Sequence, residues 1–95
     1  MKIIVQQGSL RDMNNILNDI CRMHWKKINR VRKAAHKIEF INGDEIRFIS
    51  TDPRYTDGLR ADIAIGPNAH YFTCCSEEKK RIWNLSDLDN YLKNI

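Results

Sequence analysis

A change of period at Lys37 restricts this chain more than any other feature. Ile38 and Phe40 alternate with Glu39, Asn42-Gly43 follows, and Ile46 and Phe48 then alternate with Glu45 and Arg47. Period two belongs to a strand with one buried face. Asn-Gly between two such runs fits a type I′ turn, whose two central residues both need positive φ. A β-hairpin is therefore expected around Asn42-Gly43. Because a 95-residue chain buries only about 60–65% of its unfolded surface, the hairpin has to share one core with everything else. One domain over residues 1–95 is the expectation.

The remaining elements follow from local pattern. Ile3-Ile4-Val5 is a short β-branched run suited to a strand buried on both faces. Placed at a sheet edge, such a strand would offer itself for pairing across a dimer. Gly8-Ser9 turns the chain, and Ser9 with Asp12 three residues on marks a helix start. Leu10, Met13, Ile16, Leu17, Ile20 and His24 recur at three and four, which predicts an amphipathic helix over 10–27. Residues 28–34 read two ways: the spacing of Ile28, Val31 and Ala34 suits a helix, while the β-branched content and interspersed charges suit an extended connector. Residues 51–58 are dense in turn formers and predict an exposed loop. Residues 62–65 predict a strand that stops at Gly66-Pro67, since proline lacks a ladder donor. Further strands are expected at 71–75 and 81–83, separated by a charged turn. Ser86 with Asp89 predicts the cap of a last helix whose Leu88, Tyr91, Leu92 and Ile95 share a face. The order gives an α/β or α+β fold: one small sheet with a hairpin, an N-terminal amphipathic helix and a short C-terminal helix.

Charge is uneven along the chain. Residues 1–20 balance, residues 38–95 carry a net −3, and residues 21–37 hold Arg22, Lys26, Lys27, Arg30, Arg32, Lys33 and Lys37 with no acid. The whole excess behind the net +4 lies in that stretch. Were it continuous helix, Arg22, Lys26, Arg30, Lys33 and Lys37 would form one stripe within about 80°, suited to a phosphate backbone. The alternatives are a merely solvated basic face and contact with an acidic protein. A strand beginning near Ala35 would end the helix sooner. Trp25, inside the basic stretch, either stacks on a base or covers the core, and the second reading is the one expected.

Residues 38–48, followed by a polar loop and then Gly58-Leu59-Arg60-Ala61-Asp62-Ile63-Ala64-Ile65, resemble the ATPase core of phage large terminase subunits and related helicase-like P-loop proteins. The opening strand, Ser9 and the following helix extend the resemblance over residues 2–73. The resemblance implies a phage or mobile-element protein. It also implies that the loop carrying Arg54 and Arg60 sits near a nucleotide and a nucleic-acid path, which makes those two arginines further candidates for polyanion contact. Each arginine could instead pair with Asp57 or Asp62. The family's magnesium-holding aspartate falls on Pro67 and its water-activating glutamate on Asn68. Proline offers a metal no side-chain oxygen, and an asparagine amide is no general base.

Other chemistry is thin. No glycine among Gly8, Gly43, Gly58 and Gly66 precedes a lysine, so no phosphate-wrapping loop is present. Asp62 with Glu77 and Lys79 loosely suggests a metal-dependent nuclease, on an unpromising charged turn. Cys21, Cys74, Cys75, His24 and His70 lack zinc-ligand spacing, and His24 reads as a core-edge residue. Three cysteines, two of them adjacent, suit a reducing cytoplasm better than a disulfide scaffold. No stretch predicts a membrane helix or secretory signal. The expectation is a small, non-catalytic, cofactor-free cytoplasmic protein that binds nucleic acid or a nucleic-acid-handling complex. The alternative is a regulatory module docking on a partner ATPase or host protein, with an exposed apolar patch near Tyr55, Leu59 or Tyr71. A nuclease comes last.

Overall fold

The structure is a computed structural model and describes residues 1–51, 61–67, 69 and 82–95. The elements are β1 (Lys2–Gln7), α1 (Leu10–His24), β2 (Ile28–Arg32), β3 (Lys37–Phe40), β4 (Glu45–Ser50), β5 (Ile63–Ile65) and α2 (Leu85–Asn94). The five strands form one sheet in the order β2-β3-β4-β1-β5. β1 runs parallel to both of its neighbours, β4 and β5. The triplet Ile3-Ile4-Val5 is buried on both faces, as its β-branched run predicts. It lies inside the sheet and not at an edge, so it is not placed to pair across a dimer. Both helices pack on one face, where Met13, Leu17 and Ile20 of α1 and Leu88 and Leu92 of α2 join Ile3, Val5, Ile46, Phe48 and Ile63. On the opposite face, Ile4, Ile49, Ala64 and Ala69 form a smaller cluster.

α1 starts where expected, with the Ser9 hydroxyl accepting the Asp12 amide at 3.1 Å. It stops at His24, and a single 3-10 turn, Trp25–Lys27, leads into β2. β2 explains the ambiguous reading of 28–34. Ile28 sits opposite Phe40 and Arg30 opposite Glu39, so the register shifts by one between them. That bulge lets Ile28 and Val31, three apart, both turn to the core while Arg30 and Arg32 turn away. A spacing of three here comes from a bulged strand, not from a helix.

The hairpin of β3 and β4 forms with Ile38 opposite Ile46, but its turn differs from the expected type I′. The Gly43 amide donates to the Phe40 carbonyl at 3.1 Å, and the Phe40 amide to the Asp44 carbonyl at 2.8 Å. Only Gly43, at φ +96°, is left-handed in this turn. This is a type I turn closed by a glycine bulge. The Asn42 side-chain Oδ1 accepts the Asp44 backbone amide at 3.0 Å, which holds the turn in that form.

α2 begins two residues earlier than Ser86 suggests. Asn84 is the cap: its side chain accepts the Asp87 amide at 2.8 Å, while the Asp87 carboxylate accepts the Asn84 amide at 3.1 Å. Asn caps a helix as well as Ser, and this reciprocal pair satisfies two otherwise orphaned donors. Near the far end of α2, Tyr91 donates to the Asp44 carboxylate, which also receives the Met1 ammonium at 2.8 Å and the Asn42 amide at 3.0 Å. Burial alone would push the Asp44 carboxyl up, but the ammonium, Tyr91 and Asn42 outweigh it and hold it below the usual range. Burial, then the hydrogen bond to Asp44, pushes Tyr91 up to about 12. Residues 52–60, 68, 70 and 71–81 lie outside the described residues, and with them the expected loop, the 71–75 strand and the charged turn. Ile82 does bridge to Ala64 in parallel.

Two outcomes follow. At Gly66, φ is +133° and an added Cβ would stand 2.6 Å from the Gln6 Cβ. Gly66→Ala should cost about 2–4 kcal/mol by urea denaturation, whereas Gly8→Ala, with nothing within 4 Å, should cost under about 1 kcal/mol. Tyr91, with a raised folded-state pKa, stabilises the fold fully below its unfolded value near 10 and loses that contribution as pH rises toward about 12. The stability gap between the natural chain and Tyr91→Phe, about 1–2 kcal/mol at neutral pH, should therefore close between those two values. Asp44, with a lowered pKa, works at the other end, and its contribution fades as pH falls below the usual carboxylate range.

Candidate nucleic-acid interface

The acid-free stretch becomes one edge of the sheet. With α1 ending at His24, the chain reverses into β2, the edge strand, then passes through a 3-10 turn, Lys33–Ala35, into β3. The continuous helical stripe is therefore not what forms. The seven cations divide between the end of α1, the open sheet face and the far end of β2. The cause is the bulged β2, whose residues pair with β3 in place of a fifth helical turn.

On the open face the register builds rows. Arg32 stands opposite Lys37, and Lys37 opposite Arg47. The adjacent row is Arg30, Glu39 and Glu45. The two glutamates tie down part of the positive charge. Arg32 reaches Glu39 at 3.3 Å, and Lys37 reaches Glu39 at 3.6 Å and Glu45 at 3.0 Å. Arg30, Lys33 and Arg47 have no ion pair among the described residues, and all three are exposed. Partly exposed pairs of this kind contribute about 1 kcal/mol each and can give way to a phosphate at Arg32 and Lys37. On an edge strand the same arginines discourage pairing with another chain.

The other predicted cations have different places. Arg22 is exposed on α1 and pairs with Asp19 at 3.0 Å. Lys27 is structural: its ammonium donates to the Leu92 carbonyl in the last turn of α2, where a cation meets the negative helix end. Lys26 lies 5.5 Å from the centre of the Trp25 ring. Trp25 does not cover the core. It is 65% exposed, because the buried place at the end of α1 is taken by His24, whose ring meets Asp89 at 3.2 Å. Lys93, then His24, holds the Asp89 carboxyl below the usual range. Arg54 and Arg60 lie outside the described residues, as do Tyr55, Leu59 and Tyr71.

Arg47 was not singled out from sequence, although its alternation with Ile46 and Phe48 already turns it away from the core. What sequence lacked was the register that brings it beside Lys37. Arg47 also borders a cleft of about 590 Å3 at the carboxyl end of β4, together with Gly8, Ser9, His36 and Ser50. Only Gly8 and Ser9 separate β1 from α1 there, too short a connection for amides to wrap a triphosphate. Asp62 exchanges hydrogen bonds with the Lys2 backbone at 2.8 and 2.9 Å, at the opposite end of the sheet from that cleft. Glu77, Lys79, His70, Cys74 and Cys75 lie outside the described residues. Among the described residues no group of three or more His, Cys, Asp or Glu side chains could hold a metal, and no helix is long and apolar enough to cross a membrane. Comparison with models of protein families, with curated proteins and with solved structures finds no match to this chain.

The division between structural and free cations is measurable. Lys27→Ala should lower stability by about 1 kcal/mol through loss of the α2 contact, while Arg30→Ala and Lys33→Ala should each stay within about 0.5 kcal/mol. Equal losses at all three would contradict this assignment.

Proposed function

We propose that this chain is a non-catalytic, cytoplasmic, phage-type protein that binds nucleic acid by its phosphates along the β2 edge and the adjoining open half of the sheet. The observation that carries the reading is the Arg32, Lys37 and Arg47 row across three neighbouring strands, with Arg30 and Lys33 beside it. Strands lie about 4.8 Å apart, so the row presents three cations within about 10 Å. A phosphate backbone meets such a surface by releasing counterions, whatever its sequence. Arg54 and Arg60 belong to the same reading as added contacts.

A shortened relationship to the terminase-type ATPase core is part of the proposal. It is supported by β1 leading directly into α1 and by β5 beside β1, which ends at Ile65, just before Pro67 and Asn68, where the resemblance places the family's acidic pair. No cofactor is assigned, since the chain has neither a phosphate loop nor that pair. A second reading, docking on a partner ATPase or host protein, is favoured by the groove between α1 and α2. There Ile16, Ile20, Met23 and Leu85 line an apolar cleft, and Met23 and Leu85 are exposed.

Salt titration tests the proposal. Three to five phosphate contacts from Arg30, Arg32, Lys33, Lys37 and Arg47 predict that log K falls with log salt at a slope of about −2.7 to −4.5 on duplex, or −2.1 to −3.5 on a single strand. Arg30→Glu with Arg47→Glu should reduce affinity at least about 100-fold while leaving the fold intact. A flat salt response, or an unaffected double variant, rejects the reading.

A further inference from the structure

We propose that the nucleic acid taken by this edge is single-stranded, and that the Trp25 indole is the platform on which one of its bases stacks. The proposal rests on the phosphate-binding reading of the β2 edge and names its substrate class.

Among the described large apolar side chains only Ile41, at 69%, is more exposed than Trp25. An indole left in water forgoes much of the stabilisation that burial of so large a ring supplies. The ring stands on a fixed turn. On one side Lys27 anchors the turn to the last turn of α2, and on the other the Lys27 carbonyl accepts the Ile41 amide at 2.9 Å, next to the hairpin. An aromatic held this way loses little freedom when a second ring stacks on it.

The surroundings suit a nucleotide. Lys26 and Lys93 line a cleft of about 410 Å3 beside the indole. The Lys26 ammonium sits over one face of the indole, 5.5 Å from the ring centre, so a base would stack on the other face, with the cation behind the ring adding to the attraction for the strand. The turn runs straight into Ile28, the first residue of β2, so Arg30 and Arg32 follow along the same edge. Five strand residues span about 16 Å, and a backbone tracking them passes from the stacking platform to the cationic row. Bases inside a duplex already stack on one another and have no free face to offer, whereas a single strand does.

The test uses fluorescently labelled oligothymidylate of about 12 nucleotides and the same strand annealed to its complement. The full chain should prefer the single strand at least about tenfold. Trp25→Ala should lower single-strand affinity about 5- to 150-fold with an unchanged salt slope and unchanged duplex affinity, and Trp25→Phe should recover most of the loss. Full single-strand affinity in Trp25→Ala, or equal affinity of the natural chain for both probes, overturns this proposal while salt-dependent binding preserves the reading beneath it. Binding to neither probe overturns both. The exposure of Trp25 allows the Ala variant to fold, and its melting temperature confirms that directly.

Discussion

The structure depends on the burial of β1 on both faces. Ile3, Ile4 and Val5 leave no side of that strand for water, so it has to lie between two others, and both are parallel to it. Parallel neighbours cannot be joined by a tight turn, which forces the chain between β1 and β4 to make a long excursion. That excursion is α1, β2 and β3. Its helix returns over one face, and its last strand pairs antiparallel with β4, which leaves β2 at the sheet edge among the described residues. The basic residues lie at an edge because that is the position left after the central strands are buried.

Burial also divides the two faces. α1 and α2 both occupy one side, where β3 and β4 contribute Ile38, Phe40, Ile46 and Phe48. The opposite faces of the same strands carry Lys37, Glu39, Glu45 and Arg47, interleaved with the core residues by the strand period. Glu39 and Glu45 pair with Arg32 and Lys37, two members of the row, while Arg47, the third, and Arg30 and Lys33 beside it stand outside those pairs. A polyanion that neutralises several of these cations at once gains more than a single glutamate offers.

Much of this was legible in the sequence, and the exceptions have physical causes. The α/β fold, the Ser9 cap, the hairpin at Asn42-Gly43 and the burial of His24 all follow from local pattern. β2 did not, because a bulge between Ile28 and Arg30 gives a strand the three-residue spacing of a helix. The hairpin turn needed one left-handed residue where two were expected, since Asn42 uses its side chain to fix the Asp44 amide. The α2 cap moved to Asn84 because a capping box depends on a reciprocal pair, and Asn84 with Asp87 supplies it. The expected stripe rested on α1 continuing beyond His24. Where α1 stops depends on pairing with β3, a contact between segments that no local window contains. The same holds for Trp25 and Arg47, whose places depend on which neighbour takes the buried position and which strand lies alongside.

Amide chemical-shift mapping in the presence of single-stranded oligonucleotide tests the central claim most directly, because it reports where on the fold the polyanion lies. The account predicts shifts concentrated in Trp25, Lys26, β2, Lys33, Lys37, Arg47 and, at the cleft beside the indole, Lys93, with the rest of α2 unchanged. Shifts confined to the groove between α1 and α2, or spread evenly over the surface, would contradict it.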